Sequence, residues 1–308
     1  MKDKRLTACA AGAAGRTRHR RTMHLWHRRV NRSAGGTVGI WVFLVLMGMV
    51  MALPLYYAVV SSFKPFDEFF LYPPKFVALN PTWNNYRELF GFFANSMMSF
   101  WRYVFNSVFV VVCCTVLHVL FSSMAAYPLA KNEFHGKKLI FSTVVVALLF
   151  VPQVTFLTQY VVIEKLCLLN TYGALIFPYI GTSLGLFLMK QFMEQIPQSV
   201  LEAARIDGSS EYGIWWRIVM PNVKPAWLTL IIFVFQSAWA NNGQMVIYDE
   251  SLKMLPSAIS QILSTGSTIA RQGAGMASTV FMMIPPILLF VFSQSRIIAT
   301  MAHAGIKE

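Results

Sequence analysis

The chain has 308 residues, of which 56% are hydrophobic and 13% charged, about half the charged share of an ordinary soluble domain. So few charges cannot clothe a water-facing surface, and the apolar residues fall in long runs rather than periodic stripes, which points to a polytopic, all-α membrane protein. The net charge of +13 gathers before the first apolar run, where Lys2, Lys4, Arg5, Arg16, Arg18, Arg20, Arg21, Arg28, Arg29 and Arg32 face one acid, Asp3; basic residues beside a span stay in the cytoplasm and attract anionic headgroups, so topology accounts for them without nucleic acid.

In chain order, residues 1–37 read as a basic cytoplasmic tail and residues 38–60 as the first transmembrane helix. The run Val38 to Val60 exceeds the apolar part of a cleaved signal, and Pro54, Tyr56 and Tyr57 stand where a small-residue cleavage site would lie. Residues 61–103 form an extracytoplasmic loop; Pro65, Pro73, Pro74 and Pro81 forbid one continuous helix there, because each removes a backbone donor and fixes φ. A core of residues 104–295 holds five further runs: Val104 to Ala130, Leu139 to Ile163, Tyr172 to Met189, Ala226 to Ala240 and Met276 to Ser293. Residues 296–308 form a cytoplasmic tail. Cys9, Cys113, Cys114 and Cys167 make no CxxC and no His/Cys cluster, so neither a disulfide framework nor a zinc site is expected.

Lys and Arg in the short connections set the orientation. Lys131, Lys137 and Lys138 lie between spans two and three, and Lys190, Arg205, Arg217 and Lys224 between spans four and five. The connection between spans three and four offers only Lys165 beside Glu164. Six transmembrane helices with both ends cytoplasmic satisfy the positive-inside rule at every short loop.

The connection after span four has the richest pattern, running from Ile196-Pro197 through Glu202-Ala203-Ala204-Arg205-Ile206-Asp207-Gly208 to Trp215, Trp216, Ile218 and Pro221. Ser199 and Glu202 have capping-box spacing, so a short helix is expected to begin at Ser199. Val200, Leu201 and Ala204 would share one face, Gly208 would take a positive φ and turn the chain, and Ser209 would cap a second helix. A cytoplasmic helical hairpin with an apolar face either docks on a partner or lies on the headgroups, and physics alone leaves both open.

The spacing Glu202-Ala203-Ala204, Gly208, Ile218, Pro221 resembles the EAA motif of the membrane permease subunits of bacterial binding-protein-dependent ABC importers, with Met220 where that pattern usually has Leu. Further stretches resemble the carbohydrate-uptake, maltose-permease-like branch: Asn106-Ser107, Ala125 to Ala130, Val151-Pro152-Gln153, Leu169 to Tyr172, Pro285-Pro286, and Ala304 to Lys307. Trp239-Ala240-Asn241-Asn242 departs from the usual Trp-Asn-acid, and Glu308 stands where Gly is common.

The resemblance implies a coupling-helix hairpin on the cytoplasmic face of a bacterial inner-membrane protein. A partner nucleotide-binding ATPase dimer would receive Glu202, Ala203, Ala204, Asp207, Gly208, Ile218 and Pro221. It also implies a second related permease, an extracytoplasmic solute-binding protein meeting the loop around Gly266 to Gly275, and sugar as cargo. No GxxxxGK[ST] occurs in the chain, so ATP and Mg would be bound by the ATPase, with no cofactor in this chain. Glu202 is open to a basic partner residue or to its capping-box role. Gln153, Thr155, Gln236 and Ser237 are placed to line a cargo path or to hydrogen-bond helices together, and both roles stay open. Pro152 and Pro285-Pro286 are expected to kink their helices beside that cavity.

Gly181-Thr182-Ser183-Leu184-Gly185 matches the nucleophile-elbow pattern without its strand-turn-helix context, so small-residue packing is the expected role. His118 is expected to hydrogen-bond between helices. The alternative to an importer subunit is a self-contained channel or secondary transporter; the lack of an acid within the predicted spans argues against ion coupling.

Overall fold

In hydrocarbon every backbone donor and acceptor needs a partner within the protein, and a helix supplies one for each peptide group along its length. The computed structural model describes residues 34–73, 75–94, 96–264 and 271–304. Most of the basic tail, residues 265–270 and the last residues of the C-terminal tail lie outside the described residues, as do the side chains of Pro152 and Gln153. Among the described residues the structure is helical, without strands.

Helix α1 spans Ala34–Ser62 and continues through Pro54. A 3₁₀ turn at Phe66–Phe70 and helix α2, Asn84–Ala94, follow; the four prolines of this loop all precede α2. Helix α3 is Phe100–Lys131, α4 Lys137–Ala147, α5 Pro152–Lys165, α6 Tyr172–Ile180 and α7 Ser183–Glu194. Next come α8, Gln198–Ile206, α9, Glu211–Ile214, a π turn at Trp215–Val219 and α10, Met220–Asn222. Helix α11 is Lys224–Ala240, α12 Leu255–Ser264 and α13 Gln272–Ala304.

Gly35–Ser62, Phe100–Lys131, Tyr172–Glu194 and Gln272–Gln294 are each long and apolar enough to cross a bilayer. A fifth crossing arises if Glu211–Asn222 and Lys224–Ala240, bent by 80°, count as one span. The third predicted span, Leu139–Ile163, is instead two helices: Pro152 has no N–H to offer the preceding turn and holds Val151 extended at φ −76°, ψ 135°. The fourth predicted span is interrupted at Gly181 and Thr182, where Thr182 is extended. Pro285 and Pro286, by contrast, lie inside α13, which runs on without a break.

The chain divides into two units, Met1–Ala52 and Leu53–Glu308. Within the first, every described side chain of α1 from Gly35 onward is exposed, as suits a helix whose solvent is lipid. The second unit is built around α3, whose buried polar residues divide its packing into two apolar clusters. One gathers Val110 and Cys114 of α3 with Leu175, Trp239, Met254 and Ala277. The other gathers Ala126 and Tyr127 with Met189, Met193, Leu201, Trp215 and Val219. Between them His118 Nδ1 lies 2.7 Å from the Tyr179 carbonyl oxygen, so the expected interhelical hydrogen bond is present.

One end of this unit is held by polar side chains that satisfy loop backbone. Asn106 donates to the Ser251 and Lys253 carbonyls, each at 2.9 Å, and accepts from the Tyr172 hydroxyl at 2.8 Å. Ser107 Oγ accepts the Leu255 N–H at 2.8 Å. Asn170, at φ +58°, accepts the Tyr248 and Asp249 amides at 3.1 and 2.8 Å. Near the end of α1, Glu68 accepts the Leu79 and Asn80 amides, and Asn85 donates to the Ser62 and Lys64 carbonyls.

Candidate functional site

The hairpin begins where α7 ends. Pro197 is extended, at φ −60° and ψ 137°, and precedes α8 without a side-chain cap. Ser199 therefore lies inside the first turn and the expected capping box is not formed: the helix starts at Gln198, before Ser199 reaches a capping position. Leu201 is fully buried and Ala204 nearly so, which turns that face into the protein's own core. Glu202 and Ala203 are exposed, and so is Val200, which departs from the face expected of it.

Gly208 takes φ +80°, the left-handed conformation that its lack of a Cβ permits. Its N–H donates to the Arg205 carbonyl at 3.0 Å, and the Ser209 N–H donates to the Ala204 carbonyl at 3.0 Å. These are the two bonds of a Schellman ending, so the turn is closed by backbone alone. Ser210 rather than Ser209 caps the next helix, its Oγ accepting the Gly213 N–H at 3.2 Å. The one-residue difference follows from that ending, which uses the Ser209 amide before the new helix can start.

Glu211 ties three elements together. Its Oε1 accepts from Arg205 Nε of α8 at 2.7 Å, and its Oε2 accepts from the Tyr127 hydroxyl of α3, also at 2.7 Å. The Arg205 guanidinium and then the Tyr127 hydroxyl hold the Glu211 carboxyl below the usual carboxylate range. One turn beyond Tyr127, Lys131 Nζ donates to the carbonyls of Glu194 and Ile196 in the link into α8. Sequence reasoning passed over Tyr127 and Glu211, because a hydroxyl and a carboxylate 84 positions apart carry no local signal.

The second limb leaves the hairpin through the π turn. Pro221 cannot donate to the Arg217 carbonyl and would crowd it, and the turn widens so that the Met220 N–H reaches back to Trp215 O. Asn222 Nδ2 takes the Ile218 carbonyl at 2.7 Å and Trp227 Nε1 takes the Met220 carbonyl at 3.1 Å, supporting the bend into α11. Ile218 is half-buried and Pro221 exposed. Trp215 faces inward while Trp216 is exposed, and Ile206 and Tyr212 stand out at 86% and 74% exposure. The hairpin thus presents Glu202, Ala203, Ile206, Asp207, Gly208 and Tyr212 outward on a base packed against α3 and α7.

Gln236 lines an open, mostly apolar groove with Trp239, Thr279, Met282, Met283 and Pro286. Ser237 is exposed, with its carbonyl accepting from the Tyr179 hydroxyl at 3.2 Å, and Thr155 is half-buried on α5; neither lines the groove. The Gln153 side chain lies outside the described residues. In the elbow-like segment Gly185 packs on His118: a Cβ there would fall 2.1 Å from His118 Nε2, so close helix approach accounts for the glycine.

The described residues thus form a helical unit with several spans long and apolar enough to cross a membrane. Residues 88–303 match the family of binding-protein-dependent transport system inner membrane components, and the chain belongs to that family. It is 28% identical, over 88% of its length and 95% of the relative's, to the arabinooligosaccharides transport system permease protein AraQ of Bacillus subtilis. It is 27% identical to the diacetylchitobiose uptake system permease protein NgcG of Streptomyces coelicolor, over 86% and 87% of the two chains. Among solved structures, a chain of a bacterial ABC transporter importing the acidic polysaccharide alginate superposes with a TM-score of 0.71 at 20% identity, covering 86% of this chain and 98% of that one. That likeness is one of fold.

Proposed function

We propose that this chain is the transmembrane permease subunit of an ATP-driven importer for a sugar or oligosaccharide. It crosses the inner membrane six times with both termini cytoplasmic, the α4–α5 pair and the bent α10–α11 segment each completing a crossing. Residues 1–37 and 296–308 are cytoplasmic tails, residues 61–103 an outer loop and residues 104–295 the permease core. The chain works with a second related permease, an extracytoplasmic solute-binding protein and an ATPase dimer that binds ATP and Mg. Alternating access then follows movement of the hairpin by that dimer.

The hairpin carries this reading. Its inward face, Leu201 and Ala204, is consumed by the protein's own core, while Ile206 and Tyr212 stay exposed beside Glu202 and Ala203. Apolar side chains of that size beside a carboxylate, on a turn fixed by backbone bonds, form a preorganised docking surface. Asp207 and Gly208 shape its tip, and Ile218 with Pro221 set the exit of the second limb. The carbohydrate cargo is supported by relatives named for arabinooligosaccharide and diacetylchitobiose uptake.

The test is copurification of the tagged chain from its native membrane, wild type against Gly208→Pro. Proline cannot take φ +80° and lacks the N–H that Gly208 gives to Arg205. Wild type is expected to bring down an ATPase and a second permease, with hydrolysis stimulated by oligosaccharide and binding protein; the variant inserts but loses the ATPase. An intact wild-type preparation that moves cargo without an ATPase overturns the proposal in favour of a self-contained transporter.

A further inference from the structure

Two side chains one helical turn apart at the end of α3 hold the two limbs of the hairpin. Tyr127 donates to Glu211 on the second limb at 2.7 Å, and Lys131 donates to the Glu194 and Ile196 carbonyls at the entry to the first. Positions i and i+4 of a helix share a face, so both ties pull on the same side of α3. Between them Leu201, Ala204 and Trp215 pack in one apolar cluster with Ala126 and Tyr127. Arg205 closes the link inside the hairpin by pairing with the same Glu211 carboxylate, which ties its two limbs together across the Gly208 turn.

Helix α3 is also the element with the longest reach. Its far end holds the outer loop through Tyr103 to Glu250, Asn106 to Ser251 and Lys253, and Ser107 to Leu255. A displacement of α3 at the hairpin end is therefore carried along an unbroken helix of 32 residues to the opposite end of the molecule. Apolar packing alone lets surfaces slide, whereas a short, charge-assisted hydrogen bond fixes both distance and direction.

We propose that Tyr127 and Glu211 form the strut through which hairpin movement is imposed on α3, with Lys131 as its second point of attachment. Tyr127 and Glu211 are positioning residues: they act through the hairpin and set how far a push on α8 travels. The inference rests on the reading of the hairpin as the ATPase docking element.

The experiment uses the complex copurified from native membrane and placed in lipid nanodiscs. Hydrogen exchange is compared between ADP and ATP with vanadate, for wild type, Tyr127→Phe and Glu211→Gln. In wild type, exchange is expected to change both in the hairpin, residues 198–222, and at the far end of α3 around Phe100 to Ser107. Both variants should retain the ATPase and the hairpin response while losing the response at the far end of α3. A far-end response equal to wild type in both variants overturns the strut, and so does loss of ATPase binding or of the hairpin response, which would mark the bond as structural support only. A wild-type complex without an ATPase, or with a hairpin indifferent to nucleotide, instead overturns the docking reading beneath it.

Discussion

His118 Nδ1 donates to the carbonyl oxygen of Tyr179 across 2.7 Å, joining α3 to the point where α6 ends. A carbonyl can only accept, so the proton resides on Nδ1. The break at Gly181 and Thr182 frees carbonyls in the last turn of α6, and His118 takes one of them. Gly185 on α7 lies against the same ring.

Gly185→Ala is accordingly expected to push α7 away from α3, since its Cβ would fall 2.1 Å from His118 Nε2 and 2.5 Å from Ser122 Oγ. Overpacking of this kind costs about 1–3 kcal/mol. Thermal unfolding of the purified chain in detergent should show the loss, and the same substitution in a His118→Ala background should cost distinctly less. Equal losses in both backgrounds would refute the contact.

Gly208→Ala isolates the backbone conformation. A Cβ at Gly208 meets nothing within 4 Å, so the penalty is the left-handed φ of +80° alone, about 1–2 kcal/mol. Gly208→Asn should be milder, because Asn tolerates that region. Limited proteolysis of the hairpin should rank wild type, Asn and Ala in order of increasing cleavage.

Asn106→Leu removes two donated bonds and one accepted bond at a fully buried position. The Lys253 carbonyl is then left bare and the Ser251 carbonyl keeps only Arg102 Nε at 3.3 Å, at a cost of about 1–3 kcal/mol for each unsatisfied group. Hydrogen exchange around Asp249 to Leu255 should accelerate while that of the hairpin stays unchanged.

Glu211 gives the hairpin a pH dependence of definite sign. Arg205 and Tyr127 favour its ionised form, so folding depresses the carboxyl's pKa relative to the unfolded chain. Its contribution is complete above the usual carboxylate range and is lost as the pH falls through the depressed folded value. Protease resistance of the hairpin should decline on acidification in wild type and vary less in Glu211→Gln. Identical pH profiles would show that the carboxylate contributes nothing.

The membrane class and the positive φ of Gly208 are legible in the sequence because each depends on local chemistry. Apolar runs demand a bilayer wherever they occur, and a glycine closing a short amphipathic helix turns the chain whatever surrounds it. The hairpin's place was legible for the same reason, although its caps shifted: Pro197 precedes α8 and Ser210 caps α9. The interruption at residues 148–151 was legible in the kink expected at Pro152, whereas the one at Gly181 and Thr182 was not, because an apolar run reads the same whether its helix continues or stops. Only the tertiary structure set Tyr127 against Glu211, His118 against Tyr179 and Gly185, and Asn106 against Ser251. Each of those pairs joins groups far apart in the chain, and their distance is decided by how helices pack around α3, which no local pattern of residues encodes.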